Sequence, residues 1–330
     1  MELTHDQLSS LVKGAAFTKL DENGYTVLYR FTDTAKELYD GINKEFARKT
    51  TATAGVRVEF TTNSDTLSFR YTTNYASSRR FYYFDVFVDG VMVEHVGHEN
   101  VESVTAHFEM KLPEGTHEVR IYLPNLTKLA ITRFTLDDGA TCAPLQKSRK
   151  YLAYGDSITQ GYDAKYASQS YVNLLADKLD AEVINQGIGG EVFRPELIDL
   201  APAYEPDIIT VAYGTNDWSG RTRERTETAA NEFYQKLRAK YPTAKIFAIT
   251  PIWRADNHRI TKVGKFEEGV ALVRAAAEAQ KGVTVIEGER LIPHLREIFS
   301  DGYLHPNDYG FKFYANALYN AMLPHLSEKE

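Results

Sequence analysis

The apolar residues of this chain keep two different rhythms, and the change from one to the other near residue 140 governs what it can fold into. From about residue 15 to 138 the pattern has a period of two. Gly55-Val56-Arg57-Val58-Glu59-Phe60 and Thr66-Leu67-Ser68-Phe69-Arg70-Tyr71 alternate apolar and polar, as half-buried strands do. Phe84 to Val93 carries Asp89-Gly90 between two apolar runs, a hairpin signal. Pro113-Glu114-Gly115-Thr116 separates Phe108–Leu112 from His117–Leu123, and Ile131–Leu136 supplies a further alternating segment. Short strands with regular turns predict an antiparallel, jelly-roll-like β-sandwich over residues 1–147. The polar stretch 137–150, with Pro144, reads as a linker.

Beyond it, short apolar runs alternate with helical spacing. Tyr151–Tyr154, Glu182–Asn185, Ile208–Ala212, Lys245–Ile249 and Val283–Ile286 read as strands. Between them Tyr171, Leu174, Leu175 and Leu179, or Phe233 and Leu237, recur at three-and-four spacing. Strand–helix alternation predicts an α/β domain over 148–330, built on a parallel sheet covered on both faces. Ligands of such sheets bind at the carboxyl ends of the strands, so chemistry is sought there.

Composition narrows the function classes. At 330 residues the chain has room for two cores. A formal charge of -7 argues against a nucleic-acid footprint, and no apolar run is long enough to span a bilayer. The single cysteine, Cys142, cannot form an internal disulfide, and no Cys/His spacing fits zinc. The N-terminus shows no basic or apolar leader pattern, from which a cytoplasmic location is expected. Composition leaves self-association open. The 21 Tyr, 17 Phe and 2 Trp include surfaces suited to sugar rings.

Four stretches sit at strand ends or on the last loop. The first strand runs into Gly155-Asp156-Ser157-Ile158, which by itself also fits a simple capping turn. The second ends in Asn185-Gln186-Gly187-Ile188-Gly189-Gly190, where glycines let backbone approach a ligand. The third ends in Gly214-Thr215-Asn216-Asp217, placing a carboxamide at the same rim. Before the last helix, Asp301-Gly302-Tyr303-Leu304-His305-Pro306-Asn307 brings a carboxylate and an imidazole onto one loop. A serine nucleophile needs a base, and the base an orienting partner; this set contains all three. Trp218 and Trp253 follow the third and fourth strands, and each is a candidate for stacking on a sugar. Arg254 is a candidate for orienting a polar substrate, and Arg221–Arg225 reads as a solvated helix start.

In their order and residue types these four blocks resemble the SGNH, or GDSL-type, serine hydrolase superfamily over roughly residues 149–325. The resemblance implies a flavodoxin-like three-layer α/β/α domain. It makes Ser157 the nucleophile and His305 the general base, and implies a mechanism that requires no metal or organic cofactor. The Ser157 N–H, Gly190 and Asn216 become oxyanion donors. The family usually places its acid three residues before the histidine; here position 302 is Gly and Asp301 lies four before. The acid is therefore Asp301, or else a backbone carbonyl orients the ring and a Ser–His dyad operates. A β-sandwich ahead of this domain also resembles the layout of family 2 carbohydrate acetyl esterases, which implies acetyl removal from sugar hydroxyls such as those of xylooligosaccharides. The alternatives are a lipase or thioesterase acting on longer acyl chains, and a sugar-binding protein with a degenerate hydrolase domain.

Overall fold

The computed structural model describes residues 1–101 and 103–326. The chain divides into two compact units. One comprises Met1–Lys147 with the short segment Lys165–Ser168; the other comprises Ser148–Ala164 and the residues from Gln169 onward.

The first unit holds two antiparallel sheets. In one, Val12–Lys13, Arg57–Thr62, His117–Tyr122, Tyr82–Val88 and Val91–His98 lie side by side. In the other the order is Phe17–Leu20, Thr26–Tyr29, Thr127–Leu136, Thr66–Tyr75 and Ser103–Lys111. The alternation read in the sequence becomes burial: Leu67, Phe69 and Tyr71 face a core shared with Phe60, Phe84, Phe108 and Phe134. Phe69 stacks on Phe134 at 5.7 Å between centroids. Each such ring removes enough apolar surface from water to contribute about 1.5–3 kcal/mol. The Asp89-Gly90 signal is a two-residue hairpin: Val88 pairs with Val91, and both turn residues have positive φ, 48° and 79°. That mirror-image turn follows the natural twist of the strands.

Two features depart from the period-two reading. Helices occupy Asp33–Ile42 and Lys44–Lys49, started by Thr32 and Asn43, whose side chains accept from the Ala35 and Phe46 amides. These caps satisfy local donors that a strand ladder would otherwise claim. Within the stretch read as linker, Cys142–Pro144 is a strand that pairs with Phe60–Thr62. Its backbone groups find partners on the edge of an existing sheet, which outweighs its turn-like composition.

The second unit is a five-stranded parallel sheet. Its strands, in chain order, are Arg149–Gly155, Ala181–Gly187, Ile208–Ala212, Lys245–Ile249 and Val283–Ile286. In space they run second, first, third, fourth, fifth. Successive residues of the first strand feed opposite faces. Tyr151 and Ala153 pack with Tyr171, Leu175, Phe311 and Leu318 of helices Tyr171–Lys178 and Asp308–Leu326. Leu152 and Tyr154 pack with Phe233, Leu237, Val273 and Ala277 of helices Arg223–Lys240 and Phe266–Glu278. This is the three-layer, flavodoxin-like order. Because the connections leave the first and third strands in opposite directions, a crevice opens at their carboxyl ends. Ser157 and Asn216 follow those two ends.

Candidate active site

Strand Arg149–Gly155 runs straight into a one-turn helix, Ser157–Gln160, whose N-cap is Asp156. The Asp156 carboxylate accepts from the Ile158 amide at 2.9 Å, fixing the turn that presents Ser157. Burial pushes the Asp156 carboxyl up to about 6, and the Ile158 amide acts in the opposite direction. Two glycines make the turn possible. A methyl group at Gly155 would meet Thr159 Oγ1 at 1.9 Å, and one at Gly187 would meet the Gln160 nitrogen at 2.4 Å.

The second strand end is tied onto that same turn. Asn185 Nδ2 donates to the Thr159 carbonyl at 2.7 Å, and the Gly189 amide donates to Gln160 Oε1 at 2.8 Å. Gly190 has φ of 86°, the left-handed conformation that glycine adopts without strain. At the third strand end, helix Thr215–Gly220 places Asn216 so that its Nδ2 donates to the Glu191 carbonyl at 2.9 Å. The neighbouring Asp217 accepts from the Phe193 amide and pairs with Arg221 at 3.4 Å. Burial raises Asp217 to about 7, against the pull of Arg221. Thus the residues that follow the glycine block, Glu191 and Phe193, are hydrogen-bonded to the Gly-Thr-Asn-Asp block, distant in sequence.

His305 arrives on the loop before the last helix. Ser157 Oγ lies 2.9 Å from His305 Nε2, and His305 Nδ1 lies 2.6 Å from Asp301 Oδ2. A carboxylate only accepts, so Nδ1 carries the proton and Nε2 is left to accept from Ser157. The other Asp301 oxygen accepts from the amides of Tyr303, Leu304 and His305 at 2.8–3.1 Å. The extra residue in the spacing is absorbed at Gly302, whose φ is 74°. The carboxylate therefore reaches the ring, and no backbone carbonyl takes its place. Burial works against ionisation of Asp301, but the bonds from His305, Leu304 and Tyr303 outweigh it and hold the carboxyl far below the usual range.

Asp163 also approaches this ring, with its Oδ2 3.9 Å from His305 Nδ1, and Tyr162 stacks on the imidazole at 5.5 Å. Neither stood out in the sequence; the signal available was Gly161, which ends the serine helix in a left-handed turn. Asp163, Asp301 and His305 are also the group among the described residues whose donor atoms come close enough to hold a metal. Both imidazole nitrogens are already engaged by Ser157 and Asp301, so a metal there would have to break that chain of hydrogen bonds.

Trp218 departs from the expected stacking role. Trp218 is fully buried, packed on Phe266 at 5.1 Å, with its Nε1 donating to the Gly264 carbonyl and the Arg254 guanidinium over its ring at 4.9 Å. It has no free face for a sugar. The reason is helical geometry: two residues after Asn216, its side chain leaves the opposite side of the helix. Arg254 is buried as well and donates to Thr215 Oγ1 at 2.8 Å and to Asp256. It braces the helix that carries Asn216 and is not an exposed substrate hook. Trp253 is half-buried, stacked on His294 at 5.1 Å and tilted against Phe299.

Residues 153–313 match the family described as GDSL-like Lipase/Acylhydrolase. The chain carries a GDSL-like lipase/acylhydrolase domain. Among solved structures, it is similar to a salicylyl-acyltransferase from a tetracycline biosynthetic pathway (21% identity, 96% of this chain and 94% of that one, TM-score 0.84). It is also similar to a family two carbohydrate esterase from Clostridium thermocellum, solved with cellohexaose (18% identity, 96% and 99%, TM-score 0.68). A family two carbohydrate esterase from Cellvibrio japonicus matches at 18% identity over 96% of both chains, with a TM-score of 0.65. At such identities these likenesses concern the fold, which extends over both units of the chain. No curated protein sequence matches significantly.

Proposed function

We propose that this protein is a serine esterase that hydrolyses small acyl esters, acetyl esters of carbohydrate hydroxyls foremost. The observation that carries the reading is the continuous Ser157–His305–Asp301 hydrogen-bonded chain at the carboxyl end of a parallel sheet. In this reading His305 Nε2 takes the Ser157 proton as Oγ attacks the ester carbonyl. Asp301 holds the ring in the required tautomer and stabilises the imidazolium that forms. The Ser157 and Gly190 amides and Asn216 Nδ2 receive the oxyanion, each donor being worth about 3–4 kcal/mol in comparable sites. His305 then protonates the leaving alcohol, and water repeats the cycle to release the acid and restore Ser157.

The sugar substrate has its own support. It draws on the family two carbohydrate esterases among the structural neighbours. The deciding experiment compares p-nitrophenyl acetate with butyrate and octanoate, then measures acetate release from acetylated xylooligosaccharides. Turnover falling steeply with chain length, together with acetate release, supports the reading; a preference for octanoate rejects it in favour of a lipase or thioesterase. The salicylyl-acyltransferase neighbour favours one second reading, in which an alcohol and not water resolves the acyl-enzyme. Product partitioning in the presence of sugar acceptors separates the two.

A further inference from the structure

We propose that Asp163 is a second positioning carboxylate for His305, sharing with Asp301 the task of orienting the ring and stabilising its protonated form. The inference rests on the serine-esterase reading above. Its basis is a built loop: Gly161-Tyr162-Asp163 leaves the serine helix through a left-handed residue at Gly161, φ 94°, and turns left-handed again at Asp163, φ 69°. A left-handed residue with a side chain is uncommon and costs free energy, although Asp and Asn bear it better than most. Here the second turn brings a largely buried carboxylate to 3.9 Å from His305 Nδ1. Between the two turns, Tyr162 lies against the imidazole face, and Gly189 leaves room for its ring: a methyl group there would meet it at 2.6 Å.

The groups facing His305 are thus Ser157 at Nε2, Asp301 and Asp163 at the Nδ1 edge, and Tyr162 on a face, with the buried Asp156 close enough to interact electrostatically. Asp301 takes the hydrogen bond. Asp163 stands too far for a full bond of its own, yet its charge acts on the imidazolium that forms as Ser157 loses its proton. It is also the carboxylate left beside Nδ1 once the Asp301 carboxylate is removed. No side chain other than these two approaches Nδ1 among the carboxylates of the described residues.

The test uses the full-length protein and the variants Asp163→Asn, Asp301→Ala and the double variant. Asn keeps the size and tolerates the left-handed turn, and Asp163→Gly, which fits that turn without strain, serves should the Asn variant misfold. The first readout is the midpoint of the His305 imidazole in an NMR titration of histidine-labelled protein, its signal assigned by loss in His305→Gln. Asp163→Asn should lower that midpoint by about half a pH unit or more, because a neighbouring negative charge favours the protonated ring. The acid limb of kcat/KM on p-nitrophenyl acetate should move down in step. The second readout is residual turnover: the double variant should fall about 10-fold below Asp301→Ala, a further loss comparable to one general-base contribution partly removed. An unmoved midpoint, or a double variant equal to Asp301→Ala, overturns the proposal. A Ser157→Ala enzyme with wild-type turnover would instead overturn the esterase reading, and the NMR midpoint would still report on Asp163.

Discussion

Replacing Asp301 by asparagine should be more damaging than replacing it by alanine, and the reason is visible in the two ends of the side chain. Asp301 Oδ1 accepts from three backbone amides, while Oδ2 accepts from His305 Nδ1. An asparagine has one acceptor end and one donor end. Facing three N–H groups, it must turn its oxygen to the backbone, which leaves its NH2 against Nδ1. The ring then accepts at Nδ1 and carries its proton at Nε2, opposite the Ser157 hydroxyl, where it cannot act as a base. The corresponding change in a trypsin-type triad lowers kcat about 10⁴-fold, roughly 5.5 kcal/mol of barrier, through the same wrong tautomer. With alanine the ring is free to keep its proton at Nδ1, so the loss should stay nearer 10²–10³-fold in kcat. Alanine also strands three loop amides, a stability cost of about 1–3 kcal/mol. Steady-state kinetics on p-nitrophenyl acetate, with melting curves beside them, separate the two effects. In both variants kcat should change far more than KM. Near-normal turnover in either one, or an asparagine variant more active than the alanine variant, would refute the argument.

Four other outcomes are expected. Asn216→Ala removes a carboxamide held by the Glu191 carbonyl and should lower kcat about 10²–10³-fold with little change in KM, read in the same assay. Asp217, raised to about 7 in the folded state, binds more protons there than in the unfolded chain between about pH 4 and 7. Stability should therefore fall as pH rises through that window, by roughly 4 kcal/mol at most, and Asp217→Asn should flatten the trend in thermal melts taken from pH 5 to 8. Trp218→Ala should lose about 3–5 kcal/mol of stability through the cavity it leaves, whereas Trp253→Ala should raise KM for acetylated sugars more than for p-nitrophenyl acetate. Equal KM changes on the two substrates would exclude Trp253 as a sugar contact.

Much of this protein is legible from residue order alone. Alternation at period two, as in Leu67, Phe69 and Tyr71, determines which side of a strand is buried before any partner strand is known. The Asp89-Gly90 pair sets its own hairpin, because both residues tolerate positive φ. The switch to strand–helix alternation after residue 148 determines a parallel sheet, since short parallel strands need helical crossovers. The serine, glycine, Asn216 and His305 blocks can be named from sequence because each ends an element or lies on the loop before one.

Tertiary structure decided what depends on direction in space. Spacing left the partner of His305 open, and only the left-handed turn at Gly302 carries Asp301 Oδ2 to the ring. Trp218 and Asn216 stand two positions apart, yet the helix sends one into the core and the other to the Glu191 carbonyl. Cys142–Pro144 became a strand because an open sheet edge lay beside it. Asp163 reaches His305 across 142 positions of chain by virtue of two left-handed residues whose effect no local pattern encodes. Periodicity records which residues are buried; the direction of each polar group is set by backbone turns and by the neighbours that folding brings alongside.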